Sequence, residues 1–477
     1  MTTFNPISIT SFKAYDVRGE LGVNLDETIA YRIGRAFAQI LLSQLDGARS
    51  ELIPSIVIGS DIRPSSHALK MSAIDGMTDA GANVIDLGMT GTEEVYFATS
   101  HYHAIGGIEV TASHNPINYN GMKLVREDSR PISSDTGLGD IQALAQSGEF
   151  RPATKGTVTD LSDKSAYIDK LMSFVDTARF RPLTLVINSG NGSAGPVVDM
   201  LENRLQQANA PIRLIKLHHT PDGSFPNGIP NPMIIANQRS TSEKVKEIGA
   251  DFGVAFDGDF DRCFFFDETG RFIDGSYVVG MLAKAFLDKH QGEQIVYDPR
   301  VVYNTQNVIV INGGVAQISK SGHSFIKAVM RDTGAVYGGE MSAHHYFRDF
   351  CYCDSGMIPW LLVIELLSTT GKSLSELVDD YIEAFPSSGE LNFTLGDVTA
   401  DDIKAGLESH YQADTPSKDT LDGLSLDFGT WRFNLRSSNT EPLIRLNVET
   451  RGDKALLQAK IDELMNWLKD RQAVLVA

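Results

Sequence analysis

Cysteine is scarce in this sequence, which has only Cys263, Cys351 and Cys353 among 477 residues. Three thiols in a chain of this length indicate neither a disulfide framework nor a zinc site. A reducing compartment is the simplest setting for such a chain. We therefore expect a cytoplasmic protein.

Long hydrophobic segments are also missing. The longest apolar run, residues 357–367, is interrupted by Pro359 and Glu365. It is too short to cross a bilayer, which takes roughly 20 residues. Residues 1–10 lack a basic region followed by an apolar core, so we expect no signal peptide and no membrane partner.

Positive charge is in short supply. The chain has 42 Lys and Arg residues against 61 Asp and Glu, for a formal net charge of −19. This balance argues against a general binder of nucleic acid or of membrane surfaces. An anionic substrate would need a locally basic cleft. The hydrophobic share of 42% is typical of a globular protein, and the length predicts three or four domains.

A loose internal repeat is present. Each of three units has three apolar runs, and each run ends in a polar or glycine-rich loop followed by a helix-like segment. The runs are residues 55–59, 82–87 and 108–111, then 183–187, 212–217 and 252–256, then 294–297, 315–318 and 335–337. This pattern predicts three related α/β domains with mixed or mainly parallel sheets.

The C-terminal part differs in kind. Alternating patterns predict strands at 430–436 and 443–448, and a final helix has Leu457, Ile461, Leu464 and Leu468 on one face. This indicates an α+β domain. The predicted boundaries are 1–155, 156–270, 271–372 and 373–477.

The third run of the first unit leads into a loop of small polar residues at 112–116. An open α/β sheet places its chemistry at such strand ends. Ser113 is the candidate nucleophile, with His114 beside it. A plain surface turn is the alternative, because Ser, Asn and Pro are common in turns.

The equivalent loop of the second unit carries Asp257, Asp259 and Asp261, followed by Arg262. Three crowded carboxylates repel one another unless a cation neutralises them, and oxygen ligands suit Mg²⁺. Arg262 offers a fork for a phosphate. A solvated acidic turn is the alternative.

The loop of the third unit spans residues 338–345, and Glu340, Ser342 and His344 are candidates to bind sugar hydroxyls. Three equivalent strand ends that all carry reactive groups are expected to converge on one cleft. Further cations are offered by Lys123, Lys320 and His323, although single Lys and His residues are usually structural or solvated.

Two more segments have the composition of phosphate-binding loops. Residues 436–442 contain a guanidinium, hydroxyls and an amide, with Arg445 on the next strand, although a polar hairpin turn would have a similar composition. The candidate phosphate ligands here are Arg436, Ser438, Asn439, Thr440 and Arg445. Arg18, within residues 12–19, is a further candidate beside an alternative role as a solvated arginine. Together these loops fit phosphoryl transfer to and from a sugar phosphate.

At these residues the chain resembles the α-D-phosphohexomutase superfamily along its whole length. The serine loop, the Asp-Gly-Asp-Phe-Asp-Arg loop, the Gly-Glu-Met-Ser-x-His loop and the Arg-x-Ser-Asn-Thr-x-Pro loop occur in the same order. Within the superfamily it most resembles the bacterial phosphomannomutases of the GDP-mannose pathway, through residues 12–16, 91–94, 225–232 and 346–350. Ala343 departs from the glycine of many relatives.

The resemblance implies four domains around a central cleft and an interconversion of mannose 6-phosphate and mannose 1-phosphate. Ser113 would carry a phosphoryl group, and Mg²⁺ would be held by that phosphate and by Asp257, Asp259 and Asp261. A hexose 1,6-bisphosphate would form and turn round in the cleft. Arg18 and Lys123 would flank the phosphoserine, and Lys123, His344 and His114 are the candidates for the general acid and base.

Other interpretations of the same residues stay open. The enzyme could prefer glucose phosphates or accept both sugars, since no contact to the 2-hydroxyl is identified. A metal-dependent sugar phosphatase and a non-catalytic sugar-phosphate binder are further alternatives. The sequence leaves the oligomeric state open between a monomer and a homodimer.

Overall fold

The structure is a computed structural model that describes residues 4–45, 53–437 and 443–476, apart from the side chain of Ile53. The chain falls into two compact units, residues 1–272 with 346–371, and residues 273–345 with 372–477. No helix in the described ranges has the length and apolar character that crossing a bilayer requires.

The first unit begins with a sheet of seven strands in the order β1-β5-β4-β2-β3-β7, with β6 attached to β5. The strands are β1 (Val17–Glu20), β2 (Ile53–Ser60), β3 (Asn83–Met89), β4 (Ala104–Val110), β5 (Tyr119–Arg126), β6 (Arg130–Pro131) and β7 (Val158–Asp160). The helices are α1 (Glu27–Ser43), α2 (Ser66–Asp79), α3 (Thr92–His101) and α4 (Leu138–Ser147). Because β2 and β4 pair in parallel, the loops after both strands emerge at the same edge.

The second sheet of this unit has the strand order β11-β10-β8-β9. Its strands are β8 (Leu183–Asn188), β9 (Ile212–Leu217), β10 (Phe252–Phe256) and β11 (Cys263–Asp267), with β12 (Phe272–Ile273) at the unit boundary. The helices are α5 (Ser165–Met172), α6 (Ala194–Gln207) and α7 (Ile235–Ile248). The pairs β8–β9 and β8–β10 are parallel, whereas β10 and β11 form an antiparallel pair joined by residues 257–262.

Residues 346–371 return to the first unit. They carry most of β16 (His345–Phe347), then β17 (Cys353–Asp354) and α11 (Met357–Thr370), and the two strands pair in antiparallel fashion. Ten of the fourteen residues of α11 are buried, and the exposed ones lie at its carboxyl end. Its amino end is held by Glu93 of α3, whose carboxylate accepts from Gly356 N at 2.6 Å and Met357 N at 3.2 Å. Burial raises the pKa of Glu93 to about 8.

The second unit contains a parallel sheet in the order β14-β13-β15. Its elements are α8 (Gly275–Lys289), β13 (Gln294–Tyr297), α9 (Tyr303–Ile311), β14 (Val315–Ile318), α10 (His323–Thr333) and β15 (Tyr337–Gly339). The third strand, β15, begins at Tyr337, whereas the sequence predicts a start at Ala335. Its pairing with β13 continues past the predicted end, since Gly338 and Gly339 lie opposite Val296 and Tyr297.

The C-terminal part forms an antiparallel sheet in the order β19-β20-β21-β22-β18-β23. Its strands are β18 (Ser387–Thr394), β19 (Ser417–Asp419), β20 (Leu424–Asp427), β21 (Trp431–Ser437), β22 (Leu443–Thr450) and β23 (Val474–Val476). The helices are α12 (Leu374–Ala384), α13 (Ala400–His410) and α14 (Lys454–Lys469). The predicted α+β domain, with its two strands and final helix, is confirmed.

One part of the repeat prediction is wrong. The third strand of the first two predicted units is followed by a strand rather than by a helix, since β4 leads into β5 and β10 into β11. The loops between them are too short for the crossover that a parallel neighbour requires. The polar loops at 112–118 and 257–262 therefore lie at hairpin-like turns.

Candidate active site

Ser113 lies three residues after the end of β4, in a sparsely populated backbone conformation with φ of 50°. Its amide donates to Thr111 Oγ1 at 2.8 Å, which supports this conformation locally. Its hydroxyl donates to Asp257 Oδ2 at 2.8 Å and lies 3.0 Å from His114 Nδ1. Ser113 is 4% exposed, so its hydroxyl is held among protein groups at a strained position, as is common at functional sites.

The serine loop is framed by the buried Arg63, which follows β2. Its Nη2 donates to the carbonyls of Ser113 at 2.9 Å and Asn115 at 2.6 Å. Its Nη1 donates to the carbonyls of Pro116 at 2.9 Å and Tyr119 at 3.2 Å. Four carbonyls on one guanidinium fix the path of the loop and place a buried positive charge beside Ser113.

The acidic loop packs against the serine loop at Gly258. A Cβ at this position would lie 2.5 Å from the carbonyl oxygen of Ser113, so only glycine permits the approach. The carboxylates of Asp257, Asp259 and Asp261 are buried, and each offers an oxygen within 4.8 Å of the others. The structure therefore brings the predicted nucleophile and the predicted acids together in one unit.

Two cations lie among these carboxylates. Lys123 Nζ is 2.7 Å from Asp259 Oδ2 and 2.5 Å from Asp261 Oδ2. Arg262 Nη2 is 2.6 Å from Asp257 Oδ2 and 3.2 Å from Ser113 Oγ, and it also contacts His114 Nδ1. The acids are thus only partly compensated, and an Arg fork points at the serine hydroxyl.

The electrostatics follow from burial and from these pairs. Burial raises the pKa of Asp257 to about 6, although Arg262 opposes the shift. Burial, together with the positive charge of Arg262, holds the pKa of His114 well below its ordinary value. The pKa of Lys123 is raised because Asp259 and Asp261 outweigh its burial.

Thr92, the first residue of α3, connects the helix to the acidic loop. Its hydroxyl donates to Asp259 Oδ2 at 2.6 Å and accepts from Lys123 Nζ at 3.0 Å. Its amide donates to the Asp259 carbonyl at 3.1 Å. Arg18 approaches the serine loop from β1, where it donates to Asn115 Oδ1 at 2.7 Å and pairs with Asp16.

In the second unit, Glu340, Ser342 and His344 share one tight turn. Glu340 N donates to the His344 carbonyl at 2.9 Å, and Ala343 has φ of 69°. Glycine adopts this left-handed conformation without strain, which accounts for the glycine that many relatives have at this position. The three side chains converge: Glu340 Oε2 is 3.3 Å and Ser342 Oγ 3.5 Å from His344 Nδ1.

Arg300 joins this turn from the loop after β13. Its Nη2 lies 2.6 Å from Asp298 Oδ2, 3.4 Å from Glu340 Oε1 and 3.2 Å from Ser342 Oγ. The loop that holds Lys320 and His323 reaches the same carboxylate, because Gly322 N donates to Glu340 Oε1 at 2.8 Å. Lys320 itself is exposed, with its ammonium 5.7 Å from the ring centre of Phe325.

Arg436 and Arg445 lie opposite each other on β21 and β22. Glu390 of β18 lies between them, with Oε2 3.0 Å from Arg436 Nη2 and Oε1 3.4 Å from Arg445 Nη1. The predicted phosphate ligands Ser438, Asn439 and Thr440 lie outside the described residues.

The four segments of the chain match four domains of one family. Residues 10–152 match phosphoglucomutase/phosphomannomutase alpha/beta/alpha domain I, residues 165–270 domain II, residues 274–385 domain III and residues 390–466 the C-terminal domain. The chain belongs to the phosphoglucomutase/phosphomannomutase family. It is an isomerase-type phosphotransferase with the mixed α/β fold of that family.

Similar proteins cover nearly the whole chain. A phosphomannomutase of Salmonella montevideo is 55% identical over 464 residues, which are 97% of this chain and 99% of that protein. The phosphohexose mutases of Xanthomonas campestris pv. campestris strain B100 are 52% identical over 465 residues, with 97% and 100% covered. A crystal structure of a family protein from Burkholderia thailandensis superposes with a TM-score of 0.86 at 31% identity, covering 98% of this chain and 99% of that one.

The acidic loop fits a divalent cation. Asp259 Oδ1 is buried and has no hydrogen-bond partner among the described residues, so one carboxylate oxygen is available to a ligand there. Asp257, Asp259 and Asp261 offer carboxylate oxygens, which hard cations such as Mg²⁺ prefer. Family membership agrees with this choice of metal.

Sequence reasoning missed four residues that contact candidate site residues in the structure, namely Arg63, Arg300, Thr92 and Glu390. Arg63 and Arg300 each follow a parallel strand, so the rule that singled out Ser113 also applies to them. Thr92 lies in the segment 91–94, whose only signal in the sequence is its resemblance to the bacterial phosphomannomutases. Glu390 gave no local signal, because its partners are distant in the sequence.

Proposed function

We propose that this enzyme interconverts mannose 6-phosphate and mannose 1-phosphate through a phosphorylated Ser113 and a hexose 1,6-bisphosphate. The observation that carries the proposal is the environment of the Ser113 hydroxyl. It lies within hydrogen-bond distance of Asp257 and of the Arg262 fork, and Asp257 belongs to a cluster of buried acids. The 55% identity to a phosphomannomutase favours mannose over glucose phosphates.

In the proposed reaction a sugar hydroxyl attacks the phosphorus on Ser113. The bond between phosphorus and Ser113 Oγ breaks and a bond to the sugar oxygen forms. The proton of the sugar hydroxyl passes to a base, and the leaving Ser113 Oγ takes up a proton from an acid. Arg262 and Lys123 compensate the charge of the moving group, and Arg63 holds the loop that carries Ser113. His114, Lys123 and His344 remain the candidates for proton transfer.

Asp257, Asp259, Asp261 and the phosphate of Ser113 would hold Mg²⁺, which when bound neutralises charge on the phosphoryl group. In the second unit Glu340 and Ser342 bind ring hydroxyls. Arg436 and Arg445, with residues 438–440, bind the phosphate that does not react, and this contact orients the sugar. Lys320 and His323 are further proposed ligands of the substrate, and Arg18 is proposed to flank the phosphoserine.

The proposed domains are residues 1–155, 156–270, 271–372 and 373–477. A cytoplasmic location and a monomeric or homodimeric state stay predictions from the sequence. The reaction is tested by a coupled assay of mannose 1-phosphate conversion with the bisphosphate activator and Mg²⁺. Glucose 1-phosphate in the same assay measures sugar preference. Release of inorganic phosphate without isomerisation would instead indicate a phosphatase.

Ser113→Ala is expected to abolish turnover, because it removes the oxygen that accepts the phosphoryl group. Intact-mass measurement is expected to find one phosphate on the native protein and none on the variant. Ser173→Ala is a matched control, since Ser173 is exposed at the end of α5 and its hydroxyl donates to the backbone carbonyl of Lys170. Turnover by the Ser113 variant at the native rate would contradict the proposal.

A further inference from the structure

Glu390 occupies an unusual place among arginines. Its carboxylate forms a hydrogen bond of 3.0 Å to Arg436 Nη2 and lies 3.4 Å from Arg445 Nη1 and 3.7 Å from Arg300 Nη1. All four side chains belong to the second unit and are largely buried. Arg436 and Arg445 are the cations to which the proposed function assigns the phosphate that does not react.

The sheet forces this arrangement. Arg436 and Arg445 are directly opposite in the antiparallel pair β21–β22, where two like charges destabilise the sheet. Glu390 is opposite Asn447, two positions from Arg445, and therefore lies on the same face. The register of β18 shifts between Ser387 and Glu390, and Gly389 has φ of 66°. This bulge aims the carboxylate at the arginine pair.

A phosphate at this group would compete with Glu390 for the N–H donors that the carboxylate already uses. One carboxylate already accepts from Arg436, so a phosphate that used the same N–H groups would displace it or lie beside a like charge. Arg436 Nε is buried and has no hydrogen-bond partner among the described residues, so this guanidinium keeps a donor available. Burial raises the pKa of Glu390, but the three arginines together outweigh it and lower the pKa, so the carboxylate stays ionised at neutral pH.

We propose that Glu390 is an exchangeable counter-ion, which occupies the phosphate-binding arginines in the free enzyme and returns to them when the substrate phosphate leaves. This inference rests on the proposed function, in which a bisphosphate must detach one phosphate and bind the other. Detachment would strip two buried, opposed guanidiniums of their anion. A resident carboxylate compensates them at that moment, so the phosphate binds less tightly and departs faster.

The test compares Glu390→Gln with the native enzyme in calorimetric titrations with inorganic phosphate, which need no turnover. Removing the competing charge is expected to lower the Kd for phosphate by about tenfold or more. In the mutase assay KM and kcat are both expected to fall, because the substrate is held more tightly and released more slowly. A merely structural residue would not give tighter binding together with slower turnover.

Two further variants make the result decisive. Glu390→Asp keeps the charge but withdraws it from Arg436, so its Kd should lie between the other two, and it serves if the glutamine variant does not fold. Glu408→Gln removes the same charge from an exposed pair with Lys418 and should leave the Kd unchanged. A Kd that is unchanged or raised in both Glu390 variants would overturn the inference. Tighter phosphate binding without any mutase activity would contradict the proposed function alone.

Discussion

Arg63 illustrates how one side chain can decide the geometry of a reacting group that it does not touch. It binds the carbonyl of Ser113 and three further carbonyls of the same loop, while its Nε lies 3.4 Å from Asp61 Oδ2. Asp61 in turn accepts from Thr111, whose hydroxyl accepts from the Ser113 amide. The left-handed conformation of Ser113 is therefore supported on both sides.

Arg63→Lys is expected to lower kcat by about tenfold to a hundredfold with little change in KM, because an ammonium cannot span four carbonyls and the loop shifts. Uptake of phosphate by Ser113 from the bisphosphate, followed by intact mass, should slow in parallel. Arg204→Lys is the control, since Arg204 forms a surface pair with Asp169. Native kcat and native phosphate uptake in the Arg63 variant would show that the hydrogen bonds from Arg63 to the serine loop are dispensable.

Single residues also show where the sequence stops being informative. Ser113 and the acids at 257, 259 and 261 could be predicted, because they are chemically distinctive and follow buried runs. Glu390 could not be predicted, because its position depends on a register shift in β18. Its surroundings also depend on strands about 50 residues away in the sequence, and Arg436, on the nearer of these strands, donates a hydrogen bond to it. In the sequence Thr92 has only the features of an ordinary helix start. Its contact with Asp259 is seen only in the structure.

Among the strands, nine predicted runs correspond to β2, β3, β4, β8, β9, β10, β13, β14 and β15. Apolar runs between turn signals predicted these strands, although β15 overlaps its predicted run only at Tyr337. The pattern predicts a helix-like segment after β4 and after β10, where the structure has an antiparallel strand, because a strand with a buried face has a similar share of apolar residues. Only the short loop before it distinguishes the two cases.

The strand ends at 337–345 also predict a pH effect. His345 is buried against Tyr337, whose hydroxyl lies 2.7 Å from His345 Nδ1. Burial lowers the pKa of His345 to about 3, whereas an unfolded chain has a pKa of about 6.5. The unfolded state therefore binds a proton as the pH falls below about 6.5, and the native state does not, so stability is lost on acidification and is complete above that range.

His345→Gln is expected to lose less stability than the native protein between pH 7 and pH 5, because glutamine does not titrate. Urea unfolding at several pH values measures the slope of the unfolding free energy. His410→Gln, at an exposed histidine of α13, should leave the slope nearly native. Equal slopes for the native protein and the His345 variant would contradict the assignment.

As a whole, the chain is divided into two units with separate cores. The core of the C-terminal sheet gathers Phe433, Leu446 and Trp467, among others. Composition and length predicted several domains, but they could not show that residues 346–371 belong with the first unit. That connection depends on Glu93 meeting the amino end of α11, which no local pattern reveals.

Leu446→Ala is expected to destabilise the second unit by about 2–5 kcal/mol, because it opens a cavity at a fully buried position of β22. Calorimetry should show a lower transition. The proposed metal site, measured with Mn²⁺ as a probe for Mg²⁺, and the proposed phosphate on Ser113 should persist, since the residues assigned to both lie in the first unit. Leu475→Ala at an exposed position of β23 is the control and should change stability little. Loss of Mn²⁺ binding in the Leu446 variant would contradict this independence.

The interrupted path of the first unit has a consequence for biosynthesis. Its last helix, α11, packs against β11 and α5 but is translated only after residues 273–345. Until the ribosome has passed residue 371, the nascent chain exposes the apolar surface that α11 covers, and the Glu93 carboxylate lacks the backbone donors of Gly356 and Met357. Chains that terminate early within residues 273–345 should therefore be preferred substrates of chaperones and proteases, even though every residue around Ser113 and the acidic loop has already been made.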